Sequence, residues 1–408
     1  MYVTALVCTH CGAEHPLDAR LSCDTCLGPL EPAYDYAALR TTLTRERIEA
    51  GPRTLWRYVD LLPVAAPAPG ALPVGLSPLV NAPRLAEALG LRELHIKIEA
   101  ANPTHSFKDR VVSVASAKAI ELGLEALACA STGNLAGAVA AQAAALGLEA
   151  YIFIPADLER EKIISASVPG ARIFAVEGTY DDANRLCAEL AYERPWAFVN
   201  FNVRPYYAQG SKTVAFETVE QLGWRLPDQT IAPIASGSLY TKIDRGFREF
   251  IDVGLVEGKV PVPYGAQAEG CSPVATAFAR NEEHVVPVRP DTIAKSLAIG
   301  SPADGANAIK VANRGGGRIE AVTDEEIVEA IGLLARTTGY FTETAGGVTI
   351  ATLAKLARTG QIDPDGCTVA YLTGDGLKTP DAALEFVAPQ RIAADIDAVD
   401  AVLAGALL

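Results

Sequence analysis

Basic residues are scarce for a chain of this size: 35 Lys plus Arg face 49 Asp plus Glu in 408 residues, a net charge of −14. That deficit argues against a nucleic-acid partner, because binding along a phosphate backbone needs a positive surface. A basic leader is missing too. Met1-Tyr2-Val3-Thr4 opens the chain, so no secretory signal and a cytoplasmic protein are expected. Long apolar runs are also lacking. The longest charge-free stretch, between Glu125 and Glu149, is broken by Ser131, Thr132, Gly133, Asn134 and Gln142 and is otherwise mostly alanine. It reads as a buried strand-turn-helix and not as a membrane span, and no membrane partner is expected. Core material is plentiful. Half the residues are hydrophobic and 21% are charged, which excludes global disorder and supports two to three folding units.

Four of the eight cysteines fall early, as Cys8-x2-Cys11 and Cys23-x2-Cys26. Two such turns can offer four thiolates to one tetrahedral ion, usually zinc. Gly12 and Gly28 follow the pairs, where a turn around a metal often needs glycine. The alternative is a pair of redox motifs. A closed all-thiolate shell leaves no open position, so a zinc there would be structural, with His10 and His15 as bystanders. Cys129, Cys187, Cys271 and Cys367 lie in apolar or turn contexts and are expected to be reduced thiols.

Past this knuckle, residues 33–60 read as polar helix. Residues 61–83 form a connector whose six prolines, from Pro63 to Pro83, exclude regular helix. Short apolar runs then alternate with helical patterns. Strands are expected at Leu94–Ile98, Ala126–Ala130, Tyr151–Ile154, Arg172–Val176, Ala197–Asn200, Ile231–Ala235 and Thr368–Leu372. Helices are expected at Asp109–Leu122 and Asn134–Leu146, and a capping box at Thr323–Glu326 opens another, running to about Thr338. The segment Leu-Gly-Leu-Glu-Ala occurs at 122–126 and again at 146–150, each copy ending a helix at glycine and starting a strand. This alternation is an α/β architecture with mainly parallel sheets.

Four segments carry the chemistry. Asn102-Pro103-Thr104-His105-Ser106-Phe107-Lys108-Asp109-Arg110 places a lysine at a helix start, where the macrodipole disfavours a cation and eases access to the neutral amine. A Schiff base with an aldehyde cofactor requires that amine; the alternative is a solvated loop lysine. Ser131-Thr132-Gly133-Asn134 and Ser236-Gly237-Ser238-Leu239-Tyr240 are strand-to-helix turns able to cradle a carboxylate or phosphate, or simply to cap a helix. Thr373-Gly374-Asp375-Gly376-Leu377-Lys378 ends a strand with a hydroxyl that can meet a heteroaromatic nitrogen or close a turn. All four sit where open α/β sheets bind ligands.

In this order, Ser106-Phe107-Lys108-Asp109-Arg110, Ser131-Thr132-Gly133-Asn134 and Thr373-Gly374-Asp375-Gly376-Leu377-Lys378 resemble the threonine synthase family, pyridoxal-phosphate enzymes of fold type II. Many members also carry an N-terminal cysteine knuckle. The resemblance covers nearly the whole chain. It implies two three-layer α/β domains with mainly parallel sheets plus the small four-cysteine knuckle. The expected divisions are 1–32 for the knuckle and 33–111 for the first part of a large domain bearing Lys108. A small mobile domain at 112–210 and the rest of the large domain at 211–408 complete them.

The resemblance also implies roles. Lys108 would hold pyridoxal phosphate as a Schiff base and move protons, beside Phe107. Asn134 would bond the pyridoxal 3′-oxygen. Ser236, Gly237, Ser238, Leu239 and Tyr240 would cradle the cofactor phosphate, and Thr373 would face the pyridine nitrogen and keep it unprotonated. Ser131, Thr132 and Ser106 would bind substrate, with Arg110, Arg204 and Lys212 as cations for its phosphate; the alternative for each cation is a salt bridge elsewhere. Zinc would sit on Cys8, Cys11, Cys23 and Cys26. The implied reaction converts O-phospho-L-homoserine and water to L-threonine and phosphate, in a homodimer.

The sequence departs from the family pattern in four places. His105 stands where the motif usually has glycine, and the phosphate turn is Ser-Gly-Ser and not the glycine-richer form. Tyr207 falls where an arginine is usual, and Asp375 replaces a frequent Asn or His. The competing activities are β-replacement on O-phosphoserine, as in cysteate-synthase relatives, and a non-catalytic pyridoxal-phosphate-binding homologue.

Overall fold

The computed structural model describes residues 1–131, 133–156, 160–178 and 180–405. In chain order the strands are β1 (Val3–Cys8), β2 (Glu14–His15) and β3 (Leu30–Tyr34), then β4 (Leu79–Asn81) and β5 (Glu93–Ile98). Next come β6 (Ala126–Ala130), β7 (Glu149–Pro155), β8 (Arg172–Val176) and β9 (Trp196–Phe198). The last four are β10 (Gln229–Pro233), β11 (Val262–Ala268), β12 (Arg318–Val322) and β13 (Cys367–Leu372). They form three sheets: β2-β1-β3, β12-β11-β10-β13-β5-β4 and β8-β7-β6-β9. The four-stranded sheet is wholly parallel, and the six-stranded sheet is parallel except where β4 meets β5.

Burial explains the parallel order. Every residue of β6, β10 and β13 is buried, as in strands covered on both faces by helices. The helix Lys108–Glu121 leads into β6, and Asn134–Leu146 leads out of it. Both repeated Leu-Gly-Leu-Glu-Ala segments stop a helix with a left-handed glycine, Gly123 at φ 67° and Gly147 at φ 68°, a conformation that costs glycine almost nothing. The Thr323–Glu326 capping box forms as expected and opens Asp324–Thr338.

Residues 33–60 do not form one helical region. Leu30–Tyr34 pairs with β1, and three short helices follow at Tyr36–Thr42, Arg45–Glu49 and Leu55–Leu61. Asp35, Thr44 and Thr54 each cap a new start, so the cap residues divide what composition alone reads as continuous. The strand expected to reach Asn200 ends at Phe198. Asn202 accepts from the Phe198 N–H at 2.9 Å and donates to Trp196 O at 3.0 Å, closing the chain into a turn.

The proline-rich connector is a strap over the helix of Lys108. Leu62, Val64, Ala68 and Val74 pack with Val114 and Ala117 in one buried cluster. Pro83 is the exception to its non-helical character, opening the helix Pro83–Leu89 at a first-turn position that needs no N–H. The knuckle sits against the segment after β9. The Arg20 N–H donates to Asn202 O at 2.8 Å, the Tyr206 hydroxyl to Asp18 O at 2.8 Å and Gln209 Nε2 to Glu31 at 2.9 Å. Among the described residues no helix is long and apolar enough to cross a membrane.

Candidate active site

Strands β10, β13 and β5 are neighbours, so the turns leaving their C-terminal ends converge. A cavity of about 380 Å³ lies there, lined by Phe107, Lys108, Asn134, Thr373, Glu343 and the Ser236–Leu239 turn, among others. Its size is that of an ordinary small-molecule site. Backbone bonds tie the turns after β5 and β13 to each other and to Glu343. The Phe107 N–H donates to Thr373 O at 2.9 Å, that of Asp375 to His105 O at 3.1 Å and that of Glu343 to Gly374 O at 3.2 Å.

Lys108 is the first residue of its helix, and its ammonium lies 4.5 Å from the Phe107 ring centroid. Desolvation pushes its pKa down to about 8, against an opposing pull from Glu343. A substantial neutral fraction therefore exists near physiological pH, as an amine nucleophile requires.

The Ser236–Leu239 turn is open for a physical reason. Gly237 has φ 95°, and a Cβ there would stand 2.8 Å from Asp304 O. The 15-residue helix Ser238–Asp252 starts at this turn, giving an anion cradle of backbone N–H groups and dipole. Tyr240 lies outside the lining; its hydroxyl donates to Pro263 O at 3.0 Å. Ser131 lines the cavity, while its hydroxyl accepts from the N–H groups of Gly133 and Ala136, both at 3.1 Å, and thus also caps a helix. Ser106 is buried, and its hydroxyl has no partner among the described residues. Thr132 lies outside the described residues.

None of the three expected phosphate cations lines the cavity. Arg110 is fully buried and meets Glu99 at 2.5 Å and Glu217 at 2.6 Å, with further bonds to Ser77 and Thr213. Every guanidinium nitrogen is engaged. The carboxylates outweigh desolvation and raise its pKa. Lys97 completes this cluster through Glu217 at 2.8 Å. The helical period explains the miss: Arg110 follows Lys108 by two residues, so the two side chains leave different faces. Lys212 is likewise buried, held by Glu249 at 2.8 Å and Leu61 O at 3.0 Å, and burial pushes its pKa down to about 8. Neither can meet a substrate phosphate in this arrangement. Arg204 pairs with Asp304 at 2.6 Å, and the Asp304 N–H bonds Ser236 O at 2.8 Å. It therefore stands behind the phosphate turn and not in the cavity lining.

The family departures have local explanations. His105 adopts φ 60°, a left-handed conformation that favours glycine, and its exposed ring reaches Ala100 O at 3.3 Å. Asp375 accepts from the Leu377 N–H at 2.8 Å and so closes its own turn. Tyr207 lines the cavity.

Sequence patterns missed two charged residues of the cavity lining. Glu343 is buried at the N-cap of Thr344–Arg358, yet its side chain does not cap. It accepts from Asn134 Nδ2 at 2.9 Å and from the Thr373 hydroxyl at 3.2 Å. Glutamate is an unusual N-cap, and that oddity was the available signal. Lys295 also lines the cavity, exposed and without an ion pair among the described residues; no spacing marks it.

At the knuckle the four cysteine sulfurs lie within 4.8 Å of one another, with Cys8–Cys26 at 3.4 Å and Cys11–Cys23 at 3.7 Å. A Cβ at Gly28 would stand 2.9 Å from the Cys8 sulfur, which explains that glycine.

The sequence profile of the pyridoxal-phosphate dependent enzymes matches residues 71–374. Threonine synthase of Methanocaldococcus jannaschii is 37% identical over 97% of this chain and 98% of its own, and that of Methanosarcina acetivorans 35% over 97% of each. The chain belongs to this enzyme family. Among solved structures, a threonine deaminase from Solanum lycopersicum aligns with TM-score 0.63 over 94% of this chain and 97% of its own, at 20% identity. Maize serine racemase aligns with TM-score 0.62 over 74% of this chain and 88% of its own, at 21% identity. Both show the fold, that of fold type II pyridoxal-phosphate enzymes.

The cavity fits the family's cofactor. A lysine of lowered pKa, an open anion turn, an amide and a hydroxyl converge in one space of about 380 Å³.

Proposed function

We propose that the chain is a pyridoxal-phosphate-dependent threonine synthase, converting O-phospho-L-homoserine and water to L-threonine and phosphate. The observation that carries this is Lys108, with its lowered pKa, facing the same cavity as Asn134, Thr373 and the Ser236–Leu239 turn. The near-full-length similarity to threonine synthases supports the substrate.

Bound through Lys108, pyridoxal phosphate supplies an electron sink for carbanions at the substrate's Cα and Cβ. Once released by substrate, Lys108 takes the Cα proton on Nζ and returns protons to the substrate carbon chain. Ser236, Gly237, Ser238 and Leu239 would hold the cofactor phosphate, with Arg204 supporting that turn through Asp304. Asn134 would bond the 3′-oxygen, and Thr373 would meet the pyridine nitrogen. The Ser131–Asn134 turn would receive the substrate carboxylate. Lys295 takes the phosphate role first assigned to Arg110 and Lys212. The 112–210 unit closes over bound substrate and excludes water until the addition step.

The four cysteines fit a structural zinc ion, which would hold the knuckle in the shape that meets Tyr206 and Gln209. A cytoplasmic homodimer completes the proposal. Phosphate and threonine release from O-phospho-L-homoserine tests it, comparing wild type with Lys108→Ala. Absence of release by wild type, with sulfonate product from O-phosphoserine plus sulfite, would replace threonine synthesis with β-replacement.

A further inference from the structure

With four cysteines closing a metal shell, His15 is expected to be a bystander. The structure gives it a bond to that shell. It lies on β2, where the ladder pairs it with Leu6 of β1, the strand that ends at Cys8. Its side chain is 9% exposed, and Nε2 stands 3.2 Å from the sulfur of Cys23, a fully buried residue. On the other side of the ring, Nδ1 stands 3.2 Å from Arg20 Nη1.

These two contacts fix the sense of both bonds. A guanidinium only donates, so Nδ1 is the acceptor. A neutral imidazole with one accepting nitrogen carries its proton on the other, and Nε2–H therefore points at sulfur. Arg20 is itself held. Asp18 accepts from its Nε at 2.7 Å and from Nη2 at 2.8 Å, and Asp24 accepts from Nη1 at 2.5 Å. Asp24 also lies 3.8 Å from His15 Nδ1, beyond hydrogen-bond range, so that nitrogen belongs to Arg20.

A four-thiolate shell carries more negative charge than one divalent ion cancels, and this one is set in a chain of net charge −14. Its sulfurs gain from N–H donors. The Thr25 N–H donates to the Cys23 sulfur at 3.3 Å and the His10 N–H to that of Cys8 at 3.4 Å. Both are backbone donors, supplied by the turns whatever their side chains. The imidazole is different, because a side chain has to be brought to the sulfur and kept there.

Resting on the proposed four-cysteine metal site, we infer that His15 is a positioning residue that donates Nε2–H to the metal-bound thiolate of Cys23, and that Arg20 holds the imidazole in the tautomer and orientation this needs. Polarity runs one way, from the guanidinium through the ring to the sulfur, so each bond strengthens the next. The same arginine donates its backbone N–H to Asn202 O at 2.8 Å, and the Asp18 carbonyl accepts from the Tyr206 hydroxyl at 2.8 Å. The residue that orients the ring thus also fastens the knuckle to the body of the molecule.

The test uses the full chain stripped of metal and reloaded with cobalt(II), whose thiolate-to-metal charge-transfer band reports on the sulfurs. A hydrogen bond lowers the energy of a sulfur lone pair, so its loss moves the band to lower energy. His15→Leu should show that shift and, in competition with a chromophoric chelator, hold cobalt about tenfold more weakly, as loss of a partner outside a metal shell commonly does. His15→Gln, whose amide can donate from a similar position, should restore both band and affinity. Arg20→Met should move the band in the same direction as His15→Leu. An unmoved band in His15→Leu, binding by His15→Gln no tighter than by His15→Leu, or a wild-type spectrum of three thiolates and one imidazole would overturn the assignment while leaving a metal at the knuckle. An unmoved band in Arg20→Met would overturn the part given to Arg20. A wild-type chain that binds no cobalt would overturn both the assignment and the metal site on which it rests.

Discussion

Lys108 and Arg110 are two residues apart on the first turn of one helix, yet their surroundings are opposite. Arg110 is saturated: two carboxylates, two hydroxyls and no exposure. Lys108 faces a cavity, with a phenyl ring at 4.5 Å and a carboxylate acting through space. One cation is pinned in its charged state and the other is eased toward neutrality. The pinned residue anchors the helix from behind, and the eased residue is presented in front. A motif that contains both cannot by itself say which is which.

The comparison can be broken from either side. Lys108→Ala should lower threonine formation by on the order of 10³-fold or more, because it removes both the cofactor linkage and the proton carrier. Steady-state product analysis with saturating cofactor measures it. Arg110→Ala should leave Glu99 and Glu217 buried and undercompensated and cost about 3–5 kcal/mol of stability. Urea unfolding checks this, and a loss under about 1 kcal/mol would mean that water reaches the cluster.

Lys295→Ala should raise KM for the phosphorylated substrate about tenfold, equivalent to about 1.4 kcal/mol, with the bound-cofactor spectrum unchanged. An unaltered KM would return the substrate phosphate to other donors. The smallest effect concerns pH. Lys108 must lose a proton to take up cofactor, and its pKa lies near 8, so the uptake rate should rise with pH and reach half its plateau there. Glu343 raises the lysine's pKa, so Glu343→Gln should move that midpoint to lower pH. Stopped-flow absorbance of apoprotein mixed with pyridoxal phosphate would show the shift, and a move to higher pH would contradict it.

Much of the fold was legible because its periodicities are clean. The strand Ala126–Ala130 and the helix Asn134–Leu146 have the expected boundaries, since a fully buried strand and a glycine-stopped alanine helix leave few alternatives. The cavity-facing turns were legible because strand ends in parallel sheets share one side. Arg110 and Lys212 were misplaced because charge was read as availability, whereas each buried cation also takes a partner far away in sequence, Glu217 lying 107 residues from Arg110 and Leu61 151 from Lys212. Glu343 was missed for a related reason. Its partners Asn134 and Thr373 lie 209 and 30 residues from it, and nothing local marks a glutamate that folding will bring to them.

The strand order β12-β11-β10-β13-β5-β4 has a consequence for how the molecule comes into being. The four-stranded sheet is built from one continuous stretch, Ala126 to Phe198, and its strands are all available early in synthesis. The six-stranded sheet is not. Its β13 is the last strand to leave the ribosome, yet it lies between β10 and β5. Until Cys367–Leu372 arrives, two half-sheets expose facing edges of unpaired backbone, the condition that invites wrong pairing and calls for chaperones. A nascent chain halted before Cys367 would therefore have two finished sheets and one split in two, with the Lys108 loop still lacking the carbonyl of Thr373 that anchors it.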